Sequence, residues 1–395
     1  MEKNKWFKLV QKSSDCCARL GEIKTPHGDI PTPVFMPVGS QGTVKAVTPD
    51  QLQQIGIRLI LANTYHLYLR PGVEIIRNAG GLHRFMNWDK AILTDSGGFQ
   101  IFSLARLREI NEAGVKFRSH IDGSEHFITP EMAIKLQEDI GADIIMALDI
   151  CPSIQESDNE IREATARTHR WAKRCLKAHS RADQALFGII QGGFSPELRR
   201  ESVRQMIAMD FPGYAIGGLS LGEPKEITFQ IIDITSELLP EEKPRYLMGV
   251  GAPDDILKAV EMGIDMFDSV LPTRVARNGG LFTEKGRINI RNSVWKDVLS
   301  PVDQECSCYT CCNFSAAYLH HLFRAEELLG YTLATIHNLT FMHRFMERLR
   351  NSIAQGNFLA FKQDFLARYR PTDEKIRLAQ KQKWLERWEN IEQEN

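Results

Sequence analysis

Three aspartates in this 395-residue chain each follow an apolar run with the character of a buried strand. Ala91-Ile92-Leu93-Thr94 ends at Asp95, Ile144-Ile145-Met146-Ala147-Leu148 at Asp149, and Met266-Phe267 at Asp268. Further runs stop at polar or glycine residues: Leu186 to Ile190 at Gln191, Tyr214-Ala215-Ile216 at Gly217-Gly218, and Tyr246-Leu247-Met248 at Gly249. Two carboxylates on one rim suit a double displacement at a sugar carbon. One attacks the anomeric centre and forms a covalent intermediate, while a second polar group handles the leaving group's proton. Gly97-Gly98 beside Asp95, and Gly217-Gly218, allow the backbone to approach a flat ligand closely. Asp149 and Gln191 suit the polar edge of a heterocycle.

A second constellation is Cys306-Ser307-Cys308-Tyr309-Thr310-Cys311, a C-x-C-x2-C box. Four of the eight cysteines crowd into residues 306–312, which fits a metal site in a reducing compartment and not a disulfide framework. Three thiolates from one loop suit a tetrahedral Zn²⁺ that needs a fourth ligand. His337 is the leading candidate, read as opening a helix at Thr335 so that its ring aims back at the loop; His320, His321 and Cys312 are the others. Four protein ligands make the ion structural. A third feature follows Asp268 directly. Between Arg274 and Lys296 lie six basic residues (Arg274, Arg277, Lys285, Arg287, Arg291, Lys296) and one acid, Glu284. The chain's net charge is −1, so a nucleic-acid partner needs such a local stripe.

These groups need a frame that gathers them. Pro33 to Val38 and Leu59 to Thr64 read as two strands preceding the six runs above. Helices separate most of them, opening at Thr48-Pro49-Asp50 and spanning Pro130–Asp139, Asp158–His179, Ser195–Met209, Pro224–Leu239 and Pro253–Met262. Apolar runs without alternation indicate strands buried on both faces of a parallel sheet. Helix–strand alternation and the count of eight indicate an α/β protein, a (β/α)8 TIM barrel whose strand C-termini share one active face. No G-x-G-x-x-G follows the first strand, which argues against an open dinucleotide-binding sheet. The expected organisation is short strands capping the barrel over 1–32, the barrel over 33–278, and an inserted C-terminal zinc-binding helical subdomain over 279–370. That subdomain has a hairpin near 281–290 and helices Ala316–Leu329 and Thr335–Ile353, and a charged helical tail follows over 371–395. With 43% hydrophobic and 25% charged residues, no apolar run near the roughly 20 residues of a membrane span and no secretory signal, the expectation is a cytoplasmic protein.

With these residues in hand, the chain resembles the bacterial-type tRNA-guanine transglycosylases of the queuine/archaeosine tRNA-ribosyltransferase superfamily. The matching segments are Leu93 to Gln100, Ile189 to Gly192, Ala215 to Leu219, Tyr246 to Gly251, Asp265 to Arg274, and the cysteine box with His337. The resemblance implies exchange of wobble guanine for 7-aminomethyl-7-deazaguanine in tRNAs with a G-U-N anticodon (Asp, Asn, His, Tyr), by ping-pong base exchange in queuosine biosynthesis. It implies Asp268 as nucleophile and Asp95 as general acid/base. Asp149, Gln191, Gly218 and Leu219 would recognise the base, Phe99 and Met248 would sandwich it, and Arg274 and Arg277 would contact tRNA. Cys306, Cys308, Cys311 and His337 would hold one structural zinc, and the protein would be a homodimer. Two positions depart from the pattern. Asp149-Ile150-Cys151 stands where family members usually carry Asp-Glu-Cys, and Leu221 stands where bacterial members carry Val. A non-catalytic paralogue would lack Asp268 or Asp95, and a glycoside hydrolase would need neither the cysteine box nor the basic stripe.

Overall fold

The computed structural model describes residues 5–104, 108–153, 155–372 and 379. The expected helical tail over 371–395 therefore falls almost wholly outside the described residues.

Eight parallel strands form the central sheet: Val34–Pro37, Leu59–Asn63, Ala91–Asp95, Ile144–Met146, Ala185–Ile190, Gly213–Ile216, Arg245–Leu247 and Met266–Ser269. From the second strand to the eighth each pairs with its sequence neighbour, and the eighth also pairs with the first. A parallel bridge between Val38 and Leu61 joins the first strand to the second and closes the barrel. The runs lack polar alternation because both faces are dry. Leu61, Leu93, Ile144 and Phe187 fill the interior, while Ile60, Ile92, Ile145 and Leu186 pack outward against helices. The inward series is what aims the chemistry. Side chains two apart share a face, so Leu59 and Leu61 lead to Asn63, Ala91 and Leu93 to Asp95, Phe187 and Ile189 to Gln191, and Met266 to Asp268. Each series runs from core to mouth and changes from apolar to polar at the last residue.

Helix signals in the chain act where expected. Thr48 caps Pro49–Ile55 and Ser157 caps Asp158–Ala178, each in a reciprocal box with the residue three further on, Gln51 and Glu160. An N-terminal sheet (Phe7–Lys12, Arg19–Ile23, Ile30–Thr32) places Phe7, Ile23 and Ile30 against interior barrel residues. His27 on its turn stacks on His83 with ring centroids 3.7 Å apart, and its Nδ1 lies 2.7 Å from Asp143 Oδ1 at the start of the fourth strand.

Several elements differ from expectation. A three-stranded antiparallel sheet (Arg108–Ile110, Val115–Arg118, Glu125–Ile128) lies between the third strand and helix Pro130–Ile140, and helix Phe358–Arg368 follows the long C-terminal helix. The helices expected at Ala316–Leu329 and Thr335–Ile353 are instead Ala316–Arg324 and Leu328–Ala354. Glu326 adopts a left-handed φ of 59°, and the Glu327 N–H turns back to the Leu322 carbonyl, so the break falls before Leu328. No glycine or proline advertises that break. As a result His337 does not open a helix; it sits well inside one. The C-terminal part of Leu328–Ala354 packs against the first barrel strand, helix Pro49–Ile55 and helix Pro253–Glu261, taking the place of the barrel's eighth helix. The hairpin Gly280–Thr283/Gly286–Asn289 and the cysteine loop are thus inserted between the eighth strand and that helix.

Candidate active site

At the mouth of the barrel a cavity of about 610 Å³ is lined by both Asp95 and Asp268. Asp95 is 7% exposed. Asn63 Nδ2 donates to its Oδ2, and the Thr64 N–H donates to Oδ1 at 3.0 Å. Burial pushes its carboxyl up to about 7 against these donors, and the charge of Asp268 adds to the rise. Asp268 is held differently. Tyr246 Oη donates to its Oδ1 at 2.6 Å and the Gly249 N–H donates to the same oxygen at 2.7 Å. Burial also raises this carboxyl, while the two donors favour its charged form. Asp95 is thus poised to exchange a proton near neutral pH, and Asp268 has one oxygen held by a donor pair.

The base-reading candidates converge on the same cavity. Asp149, Gln191, Gly218, Leu219, Phe99 and Met248 all line it. Gln191 Nε2 donates to Asp149 Oδ2 at 2.7 Å, and burial pushes the Asp149 carboxyl up to about 6. Gly218 has φ +69°, and a Cβ there would meet Gln191 Oε1 at 2.5 Å, so the position requires glycine. Cys151 also lines the cavity, but burial pushes its thiol up to about 12, which makes it a poor nucleophile. Of the basic stripe, Arg274 and Arg287 reach the cavity wall. Arg277 does not; its Nη1 donates to the Thr273 carbonyl. Arg291 donates to the Phe323 carbonyl and lies over the Phe323 ring.

The cysteine box meets His337 and no other histidine. Cys311, Cys308 and Cys306 place Sγ at 3.3, 3.6 and 3.8 Å from His337 Nδ1, and the four ligand atoms lie within 4.8 Å of one another. A tetrahedral zinc with ordinary bond lengths needs S···N separations of about 3.6 Å. His337 Nε2 lies 2.7 Å from the Phe282 carbonyl, which fixes its proton there and leaves Nδ1 free to ligate. His320 is turned away to the Ile290 carbonyl, and Cys312 is exposed outside the group. The cluster can hold one metal ion, and its donor set fits zinc.

Comparison with known proteins bears on this site. The family model described as queuine tRNA-ribosyltransferase matches residues 14–371. A queuine tRNA-ribosyltransferase of Dehalococcoides mccartyi is 60% identical over 382 residues, covering 97% of each chain. Those of a Thermoanaerobacter species and of Halothermothrix orenii are 57% and 56% identical, each alignment covering 92% of this chain and 97% of the relative. The chain belongs to the queuine tRNA-ribosyltransferase family. It is accordingly an enzyme, a tRNA-guanine transglycosylase.

In this member of the queuine tRNA-ribosyltransferase family, several site residues carry roles that sequence reading did not assign. Asn63 and Thr64 hold Asp95, and Tyr246 holds Asp268. A signal existed for Asn63, a polar residue closing an apolar run as Asp95 does. Tyr246 carried none, because an aromatic inside a strand reads as core. His66 also lines the cavity, and burial together with His120 and Lys45 pushes its ring down to about 4, so it is neutral. Glu223 accepts the Ser220, Leu221 and Gly222 N–H groups and the Thr228 hydroxyl, shaping the loop after Gly218.

Proposed function

We propose that this enzyme exchanges guanine at the wobble position of G-U-N anticodon tRNAs (Asp, Asn, His, Tyr) for 7-aminomethyl-7-deazaguanine. In the first half, an Asp268 oxygen attacks the ribose C1′ and the bond to guanine N9 breaks. The electron pair leaves with the base, and Asp95 delivers the proton that neutralises it. In the second half the incoming base gives a proton to Asp95 and attacks C1′, and Asp268 departs as a carboxylate. One group must serve as acid and then as base, which suits a carboxyl with a pKa of about 7. The target nucleoside leaves its stack to reach the cavity. Asp149 and Gln191 read the base edge, Gly218 and Leu219 contact it, and Phe99 and Met248 cover its faces. Arg274 and Arg277 contact the tRNA backbone.

The observation that carries this reading is the meeting of Asp95 and Asp268 on one cavity, Asp95 held by Asn63 and the Thr64 N–H, and Asp268 held through a single oxygen by Tyr246 and the Gly249 N–H. Cys306, Cys308, Cys311 and His337 would hold a single Zn²⁺, which supplies no chemistry at the sugar and ties the cysteine loop to the long helix. Val294, Leu299, Tyr309 and Leu328 are exposed around this region and support its use as a homodimer interface. No helix among the described residues is long and apolar enough to cross a membrane, in keeping with a cytoplasmic enzyme. The test is incorporation of labelled guanine into purified tRNA. Wild type should incorporate, and Asp268→Asn should neither incorporate nor form a covalent tRNA adduct. Incorporation surviving in Asp268→Asn would remove the nucleophile.

A further inference from the structure

Arg199 lies in helix Pro196–Ala208 and is 0% exposed. Main-chain carbonyls hold its guanidinium: Nε donates to Gly193 and Nη1 to Ile190, each at 2.9 Å. Among the described residues its buried Nη2 has no hydrogen-bond partner. Gln191 shows the complementary deficit. Its Nε2 donates to Asp149, and among the described residues its buried Oε1 accepts no hydrogen bond. Both unpartnered atoms lie close to Gly218. The point where a Cβ would stand lies 2.5 Å from Gln191 Oε1 and 3.5 Å from Arg199 Nη2.

We propose that Arg199 is a specificity-determining positioning residue: its buried cation fixes the sense of the Gln191 side-chain amide, so that the cavity offers a donor to a ring carbonyl of the base. This rests on the reading of Asp149 and Gln191 as the pair that meets the base edge. With Asp149 bonded to Nε2 and the buried cation near Gly218 where Oε1 also lies, the field of the two charges favours one sense of the amide dipole. Turning the amide over would set its N–H groups against the guanidinium and its oxygen against Asp149. Asp149 alone decides less, because a carboxyl raised to about 6 is partly protonated near neutral pH and can then donate to an amide oxygen. Burial lowers Arg199 only to about 10, so it stays charged. The amide hydrogen not used by Asp149 is then what Gln191 can present to a ligand. Guanine's lactam edge, a ring N–H beside a C6 carbonyl, meets an acceptor from Asp149 and a donor from Gln191. Adenine presents the reverse pattern.

The test is competition of free guanine and free adenine against labelled guanine incorporation by the full-length enzyme. Arg199→Gln removes the charge and keeps an amide donor at the position of Nε, which serves the Gly193 carbonyl. Its guanine inhibition constant should rise about tenfold while that of adenine does not, collapsing the preference by that factor. Arg199→Lys should retain most of the preference. Should the glutamine variant fail to fold, Arg199→Met is measured in its place. A charge-removed variant with the wild-type guanine-to-adenine ratio, whatever its rate or melting temperature, overturns the proposal. Gln191→Ala separates the two levels. If it leaves the ratio unchanged, the base-edge reading itself fails. If it lowers the ratio while Arg199→Gln does not, only the role of Arg199 falls.

Discussion

Tyr246 and Asp268 sit on adjacent barrel strands, and the tyrosine hydroxyl donates to Asp268 Oδ1 at 2.6 Å. The Gly249 N–H takes the same oxygen. Among the described residues Oδ2 accepts no hydrogen bond, so one oxygen is anchored and the other is left for attack.

That anchor predicts the behaviour of Tyr246→Phe. Losing a hydrogen bond to a charged group should lower kcat about ten- to hundredfold, and Gly249 should preserve the remainder. Without the donor the Asp268 carboxylate is less favoured, so the acid limb of the kcat profile should move to higher pH. A Tyr246→Phe enzyme with an unshifted acid limb would show that the tyrosine does not tune Asp268.

Asp95 predicts the alkaline limb. If Asp95 donates the proposed proton to departing guanine, kcat/KM for tRNA should fall as pH rises through about 7. Asp95→Asn should lose most activity and also lose that limb.

The same shift bears on stability. A carboxyl raised in the folded state favours folding while protonated, and that contribution drains away as pH climbs from its ordinary value of 3.8 toward about 7. The melting temperature of Asp95→Asn relative to wild type should therefore increase between pH 4 and pH 7 and level off above. Melts whose difference does not change with pH would refute the buried, proton-holding assignment.

Metal removal should act on the inserted segment. A structural zinc contributes on the order of 10 kcal/mol of apparent binding energy to folding. Cys308→Ser should lose bound zinc by elemental analysis, melt at lower temperature and exchange amide hydrogens faster over the cysteine loop. Cys312→Ser should retain one zinc per chain; loss of zinc there would mean the ligand set is misassigned.

Arg274 and Arg287 project to the cavity wall and should meet phosphates. Neutralising either with glutamine should weaken tRNA binding and reduce the slope of log K against log salt by about 0.7 to 0.9. Arg277→Gln should reduce the slope less, since its side chain is held in part by the Thr273 carbonyl. An unchanged salt slope in Arg287→Gln would place the RNA path elsewhere.

Much of the site was legible because barrel geometry converts local sequence into position. An apolar run ending at Asp95 or Asp268 needs only the two-residue repeat of a strand to aim that last side chain into the mouth, and eight such runs can converge only on one rim. The C-x-C-x2-C spacing is likewise local, and it reports three ligands without reference to the rest of the fold. The polar partners were harder to read. Tyr246 is indistinguishable in sequence from interior packing, and Glu223 gains its role from three backbone N–H groups that a folded loop turns toward it.

The order of residues along the chain was enough to determine the barrel, its active face, the two carboxylates and the three thiols, because each depends on periodicity or spacing over a few residues. Which side chains support those groups was decided only by tertiary structure. The helix break at Glu326 puts His337 inside a continuous helix, where the packing of that helix against hairpin and barrel aims its ring at the cysteines. Likewise Arg199 and Gln191 both come close to Gly218 because a helix and two strand ends meet there. Such approaches depend on distances between segments far apart in sequence, and no local pattern encodes them.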